Sequence, residues 1–207
     1  MLHTDDAFMD SVTAAVARIE ETTDAEIVVV AASRSDDYRV VSLLAGGLAA
    51  WVGLVFVLFS PLHFSGTWMP LELPLLGALV AWLVDRTPSL HRRLVPATRR
   101  EAAVARAAAA AFHDEAVQGT RHRTGVLVYI SALEDRVVVL PDGGIEERVP
   151  GGAWNALRWG AGPDPRAPGD LPHFIAGLEA AGRILAEHVP ATGDNPNEIP
   201  DAPRVRR

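Results

Sequence analysis

The chain contains no cysteine, which excludes a disulfide scaffold, a thiol nucleophile, a cysteine-type zinc site and a cysteine-held iron–sulfur cluster. Lysine is absent too, so all 19 basic residues are arginine. Lysine Schiff-base chemistry and a P-loop lysine are thereby excluded. Against 26 acids the net charge is -7, which argues against duplex DNA gripped through its phosphates, and no nucleic-acid partner is expected. Charge itself is nearly missing from the middle of the chain, where Glu72 is the sole charged residue between Val40 and Val84. At 207 residues there is room for one compact domain and one further segment.

The N-terminus carries Asp5, Asp6 and Asp10 in place of the basic start of a secretory signal, so no leader is expected. Phe8, Val12, Ala15, Val16 and Ile19 recur at helical spacing. They predict a helix with Asp10, Arg18, Glu20 and Glu21 towards water and Thr4 as its N-cap. After a turn at Thr22 to Asp24, the β-branched run within Glu26 to Ala32 predicts a strand buried on both faces.

Val41 to Ser60 is a 20-residue apolar stretch; at about 1.5 Å per residue a helix of that length spans roughly 30 Å, the thickness of a bilayer core. A second stretch, Leu73 to Val84, is shorter and follows Pro70, Glu72 and Pro74. Together they predict a two-helix transmembrane hairpin over 41–85, with Pro61 to Trp68 as its turn and Trp51, Phe56, Leu58, Phe59, Leu76 and Trp82 facing lipid; the alternatives are two helices buried in a soluble or oligomeric core, and a re-entrant second segment that does not fully span. Gly46, Gly47 and Gly53 allow close helix contact, and a reading in which they pair with another membrane protein follows from that. Arg39 before the hairpin and Arg86, Arg92 and Arg93 after it place both flanks on the cytoplasmic side by the positive-inside rule. The expected location is therefore the inner (plasma) membrane, multi-pass, with both termini cytoplasmic.

Soluble-domain patterns then return. Thr98-Arg99-Arg100-Glu101 reads as a capping box opening a helix with Val104, Ala108, Ala111 and Phe112 on its buried stripe. Gly125 to Ile130 and Arg136 to Leu140 read as strands, and their short linker predicts an antiparallel hairpin. Trp154 and Leu157 suggest a short helix. Leu171, Phe174, Ile175, Leu178, Ala181 and Leu185 mark a last one, capped by Asp170 and stopped by Pro190. The Pro-rich, acidic segment 191–207 is expected to be disordered.

The runs Ala25-Glu26-Ile27-Val28-Val29-Val30, Arg123-Thr124-Gly125-Val126-Leu127-Val128-Tyr129-Ile130-Ser131, Leu133 to Leu140 and Asp142-Gly143-Gly144-Ile145 resemble the TPM domain family, the thylakoid-phosphatase-like proteins. The resemblance covers residues 5–40 and 97–190. It implies an α/β fold, a small mixed sheet flanked by helices, interrupted by the hairpin as in a bacterial membrane-bound branch. The expected organisation is one discontinuous domain from 1–40 and 96–190, with the hairpin inserted. Ala25 stands where family members usually have glycine. Gly143 stands where they often have a basic residue, which weakens an anion site there.

The metal-associated acid phosphatase activity attributed to plant relatives implies an acidic pocket, with Glu26, Glu134, Asp135 and Asp142 as candidates. Such carboxylates suit a hard divalent cation, Ca or Mg. Acids beside strands also serve as plain turn residues, Asp142 before two glycines among them, and no catalytic residue is assigned. His113-Asp114-Glu115 point in different directions on a helix, His122 lies in a basic loop, and Arg136 beside Asp135 reads as a surface ion pair. The expectation is a membrane-anchored, non-catalytic binding or auxiliary module with a protein partner of unstated identity; the alternative is a membrane-bound phosphatase.

Overall fold

The computed structural model describes residues 5–62, 68–161, 164, 167–193 and 197–206. The chain divides into two compact units, residues 1–35 with 101–207, and residues 36–100.

The first unit is a mixed α/β layer structure. Its four-stranded sheet has the order β3-β2-β1-β4, where β1 is Glu26–Ala32, β2 Gly125–Ser131, β3 Arg136–Pro141 and β4 Arg204–Arg206. β1 runs parallel to both β2 and β4, and β2 and β3 form the expected antiparallel hairpin. Successive strand residues face opposite sides. Ile27, Val29, Ala31, Val126, Val128 and Ile130 pack against one helical layer, while Val28, Val30, Leu127 and Tyr129 pack against the other. The first layer is α1 (Asp6–Glu20) with α7 (Leu171–His188); the second is α5 (Ala97–Asp114), through Val104, Ala108 and Ala111. The one-face pattern of α1 is as read, with Phe8 closing on Phe174 at 6.0 Å between ring centroids.

Several local expectations change. The N-cap of α1 is Asp5, whose side chain accepts from the Phe8 N–H; Thr4 lies outside the described residues. Thr98 does not cap α5, because the helix already begins at Ala97 and the N–H groups of Arg99 and Arg100 bond the Pro96 carbonyl. Glu20 is half-buried rather than towards water. The C-terminal segment, expected to be disordered, supplies β4: Arg204, Val205 and Arg206 pair with Val30, Ala31 and Ala32. Arg204 and Arg206 bind Glu115, and Arg206 also binds Asp114. An unpaired edge of β1 and free carboxylates on α5 and beyond its end gave this polar segment a place that composition alone does not reveal.

The second unit holds α2 (Arg39–Phe59), α3 (Met69–Arg86) and α4 (Pro88–Leu94). α2 and α3 pack closely, with Gly46 against the Gly77 carbonyl and Gly53 against Leu73 and Leu76. Two of the three glycines read as a surface for another membrane protein are thus used within the pair, while a Cβ on Gly47 would meet nothing within 4 Å. Among the described residues α2 alone is long and apolar enough to cross a membrane by length and composition, so a hairpin that crosses twice is not established. α3 carries Pro70 and Glu72 in its first turn and Pro74 inside it. Residues 63–67 of the expected turn lie outside the described residues.

Candidate functional site

The four acids of the expected pocket do not meet. Register places Glu26 opposite Gly125, and Val126 opposite Pro141, at one end of the sheet; Ser131 opposite Arg136 closes the other. Glu26 and Asp142 therefore lie at one end and Glu134 and Asp135 at the other, some ~20 Å away at the usual rise per strand residue. Among the described residues no three His, Asp or Glu side chains gather as a metal site.

At the Ser131 end, buried Glu134 ties two loops together. One carboxylate oxygen accepts from the Ser35 N–H at 3.0 Å, and the other accepts from the Ser131 hydroxyl. Ser35 Oγ lies 2.7 Å from Ser131 Oγ and 3.2 Å from the Tyr129 hydroxyl. Burial raises the Tyr129 pKa, while the bond to Ser35 opposes the shift. Asp135 holds a left-handed backbone at φ 59 in the tight turn, and Arg136 pairs with Asp164 at 2.7 Å and donates to the Asp135 backbone carbonyl at 3.0 Å.

At the opposite end, Asp142 caps the short helix α6 (Gly143–Glu146), accepting from the Gly143 N–H at 2.6 Å and from the Arg123 guanidinium at 2.7 Å. Arg123 was part of the resemblance but carried no site role; here it brings a positive charge to the turn whose second residue lacks one. Gly144 is required by close approach, since a Cβ there would lie 2.4 Å from the His122 carbonyl.

Glu26 instead joins Glu20, which the helical pattern had turned outward. Glu20 accepts the Ile27 N–H at 2.8 Å, and Glu26 accepts the Ile199 N–H at 3.3 Å. A pocket of about 260 Å³ opens beside them, with Asn197 and Asp201 on its other side. Burial pushes the Glu20 pKa up to about 8, against the Ile27 hydrogen bond and helped by Glu26 and Asp201. Glu26 is raised by burial first, with Glu198 and Asp201 adding to it. Both acids serve the edge of β1 and the docked C-terminal segment.

The outer edge of β3 is different, because no strand pairs with it among the described residues. The Asp142 N–H bonds the Gly125 carbonyl, so with the observed register the bonded pairs are Gly125/Asp142, Leu127/Leu140, Tyr129/Val138 and Ser131/Arg136. Val137 and Val139 then turn their N–H and C=O groups away from β2. Pro141, with no N–H to donate, occupies the next outward position, as prolines on edge strands do. A groove of about 490 Å³ runs beside this edge, lined by Val137, Val139, Trp154, Asn155, Leu157 and Trp159.

No family model and no curated protein matches the chain. A solved structure does match: the NMR structure of BA42 protein from the psychrophilic bacterium Bizionia argentinensis. The two share a fold. The TM-score is 0.56 at 16% identity, over 97% of this chain and 94% of BA42. The shared architecture of BA42 and this chain is thus recovered at a sequence identity too low to carry function.

Proposed function

We propose that this chain is a membrane-anchored, TPM-like module that binds a protein partner on the cytoplasmic side and is not a phosphatase. The observation that carries the binding reading is the edge of β3, with outward N–H and C=O groups at Val137 and Val139 beside the tryptophan-lined groove. An extended segment of a partner adds there as a fifth strand, its main chain bonding those groups and its alternate apolar side chains resting on Trp154 and Leu157.

The anchor is the α2–α3 pair, a transmembrane hairpin in this reading. Trp51, Phe56, Leu58, Phe59, Leu76 and Trp82 are all exposed, from 40% to 82%. An apolar surface of that extent requires a covering phase. Arg39, Arg86, Arg92 and Arg93 favour cytoplasmic flanks. A cation-assisted phosphatase would need acids converging on one ion. Here Asp142 is held by Arg123 and Gly143, and Glu134 by Ser35 and Ser131, at opposite ends of the sheet. A TPM-like identity rests on the resembling motifs, with which the BA42 fold is compatible.

The test places a photo-crosslinking residue at Asn155 of the full chain in native membranes. A discrete adduct that disappears with Val139→Pro, in protein still membrane-bound and folded, is expected; proline removes an outward N–H that β2 does not use. An adduct pattern indifferent to that change overturns the docking edge. Turnover of a generic phosphate ester with Mg or Ca, abolished by Asp142→Asn in folded protein, overturns the non-catalytic reading.

A further inference from the structure

The arginine-bearing segment after α3 folds into α4 and is held in place. His91 is buried, with its Nε2 3.4 Å from Ser42 Oγ on α2 and 3.9 Å from Asp85 Oδ1 at the end of α3. Its ring also lies beside that of Tyr38, tilted by 50° with centroids 5.8 Å apart. These contacts fix the rotation of α4 about its axis. At about 100° per residue, Leu90 and Leu94 fall together on one flank of the helix and Arg93 on the next. Both leucines are exposed, at 37% and 48%. At the end of α3, two residues before α4, Arg86 lies over the Trp82 ring at 5.4 Å from its centroid, and Trp82 is itself exposed.

We propose that α4 lies at headgroup depth and binds anionic phospholipid, with Leu90 and Leu94 in the acyl boundary and Arg86 and Arg93 on lipid phosphates. The inference rests on the membrane reading above. Two observations select this occupant. The exposed Leu90 and Leu94 follow directly after the last turns of α3, where Trp82 and Leu83 are also exposed, so a bilayer that holds the end of α3 has α4 beside it. The cations beside it complement phosphate, whereas a zwitterionic surface offers no net attraction. Trp82 and Arg86 form the amphipathic pair found at such interfaces, an aromatic body with a charged tip reaching to headgroups. His91, Ser42 and Asp85 are positioning residues, since they hold the element and touch no lipid.

The absence of cysteine makes single labels straightforward. The full chain carrying Leu94→Cys with an environment-sensitive fluorophore is placed in nanodiscs of phosphatidylcholine, alone or mixed with phosphatidylglycerol. Quenching is read with each lipid brominated in turn. Leu54→Cys, in the middle of α2, serves as the depth control. Expected is quenching at both positions, with brominated phosphatidylglycerol preferred over phosphatidylcholine at residue 94 by at least about fivefold, the equivalent of one basic residue near an anionic surface. Arg86→Gln with Arg93→Gln should bring that ratio close to unity, and lysine at both positions should restore it. Quenching at residue 54 with none at residue 94, or equal quenching by the two lipids at 94, overturns the inference while leaving the anchor standing. No quenching at 54 refutes the membrane reading, and this inference with it.

Discussion

Single carboxylates do most of the unexpected work in this protein. Glu134 is wholly buried and satisfied by Ser35 and Ser131. Glu134→Ala should cost ~1–3 kcal/mol by removing the acceptor of the Ser35 N–H, read from thermal or denaturant melts, with Glu134→Gln costing less. Glu20 acts in the opposite sense. Its folded pKa of about 8 lies above its ordinary 4.5, so the folded state holds the proton more tightly. Its contribution is complete below the ordinary value and is lost as pH climbs through about 8. Melting temperature should therefore fall between pH 5 and pH 9, and Glu20→Gln should flatten that dependence. An unchanged slope in the variant removes Glu20 as its cause. The groups facing Glu20 are Glu26 and Asp201, and neither offers a compensating positive charge.

At the scale of elements, two contacts decide which segments stay together. A Cβ at Gly46 would lie 2.3 Å from the Gly77 carbonyl, so Gly46→Val should drive α2 and α3 apart and lower the melting temperature in detergent. Gly47→Val should have little effect, because that face is open. Comparable effects at both positions contradict the packing described. The second contact is β4. Ending the chain after Gly193 removes the pairing with Val30–Ala32 and the arginine bonds to Asp114 and Glu115. It also opens the Glu20–Glu26 pocket to water, and both acids should then titrate closer to ordinary carboxyl values, measurable by carboxyl-labelled NMR. Retention of the raised values would place their cause in α1 and β1 alone.

The whole molecule joins a densely packed α/β unit to a unit whose apolar side chains face outward. In the first, Phe174 sits with Phe8 and Trp159, the latter at 5.4 Å between centroids. Phe174→Ala should cost ~3–5 kcal/mol by leaving a cavity among them. In the second, tryptophans, leucines and phenylalanines of α2 and α3 are exposed, and the proposed anchor puts them in the bilayer. The full chain should therefore resist carbonate extraction from membranes, and its release by carbonate would contradict the anchor.

What the amino-acid order determined by itself is local and periodic. The period of 3.6 in α1 and α7, the β-branched runs of β1 and β2, the short β2–β3 linker and the Asp170 cap were all legible, because each depends on neighbours a few residues away. The 20-residue apolar stretch was legible for the same reason. Tertiary structure alone decided what lies across long separations. It split the four acids between two ends of the sheet, turned Glu20 inward onto the Ile27 N–H, and set Arg123 on Asp142. It also brought residues 204–206 to the edge of β1, more than 170 residues away in the chain. Strand pairing of that kind depends on which edge is left open once the sheet has formed. Composition reports the polarity of a segment, and polarity does not reveal whether an edge is waiting for it.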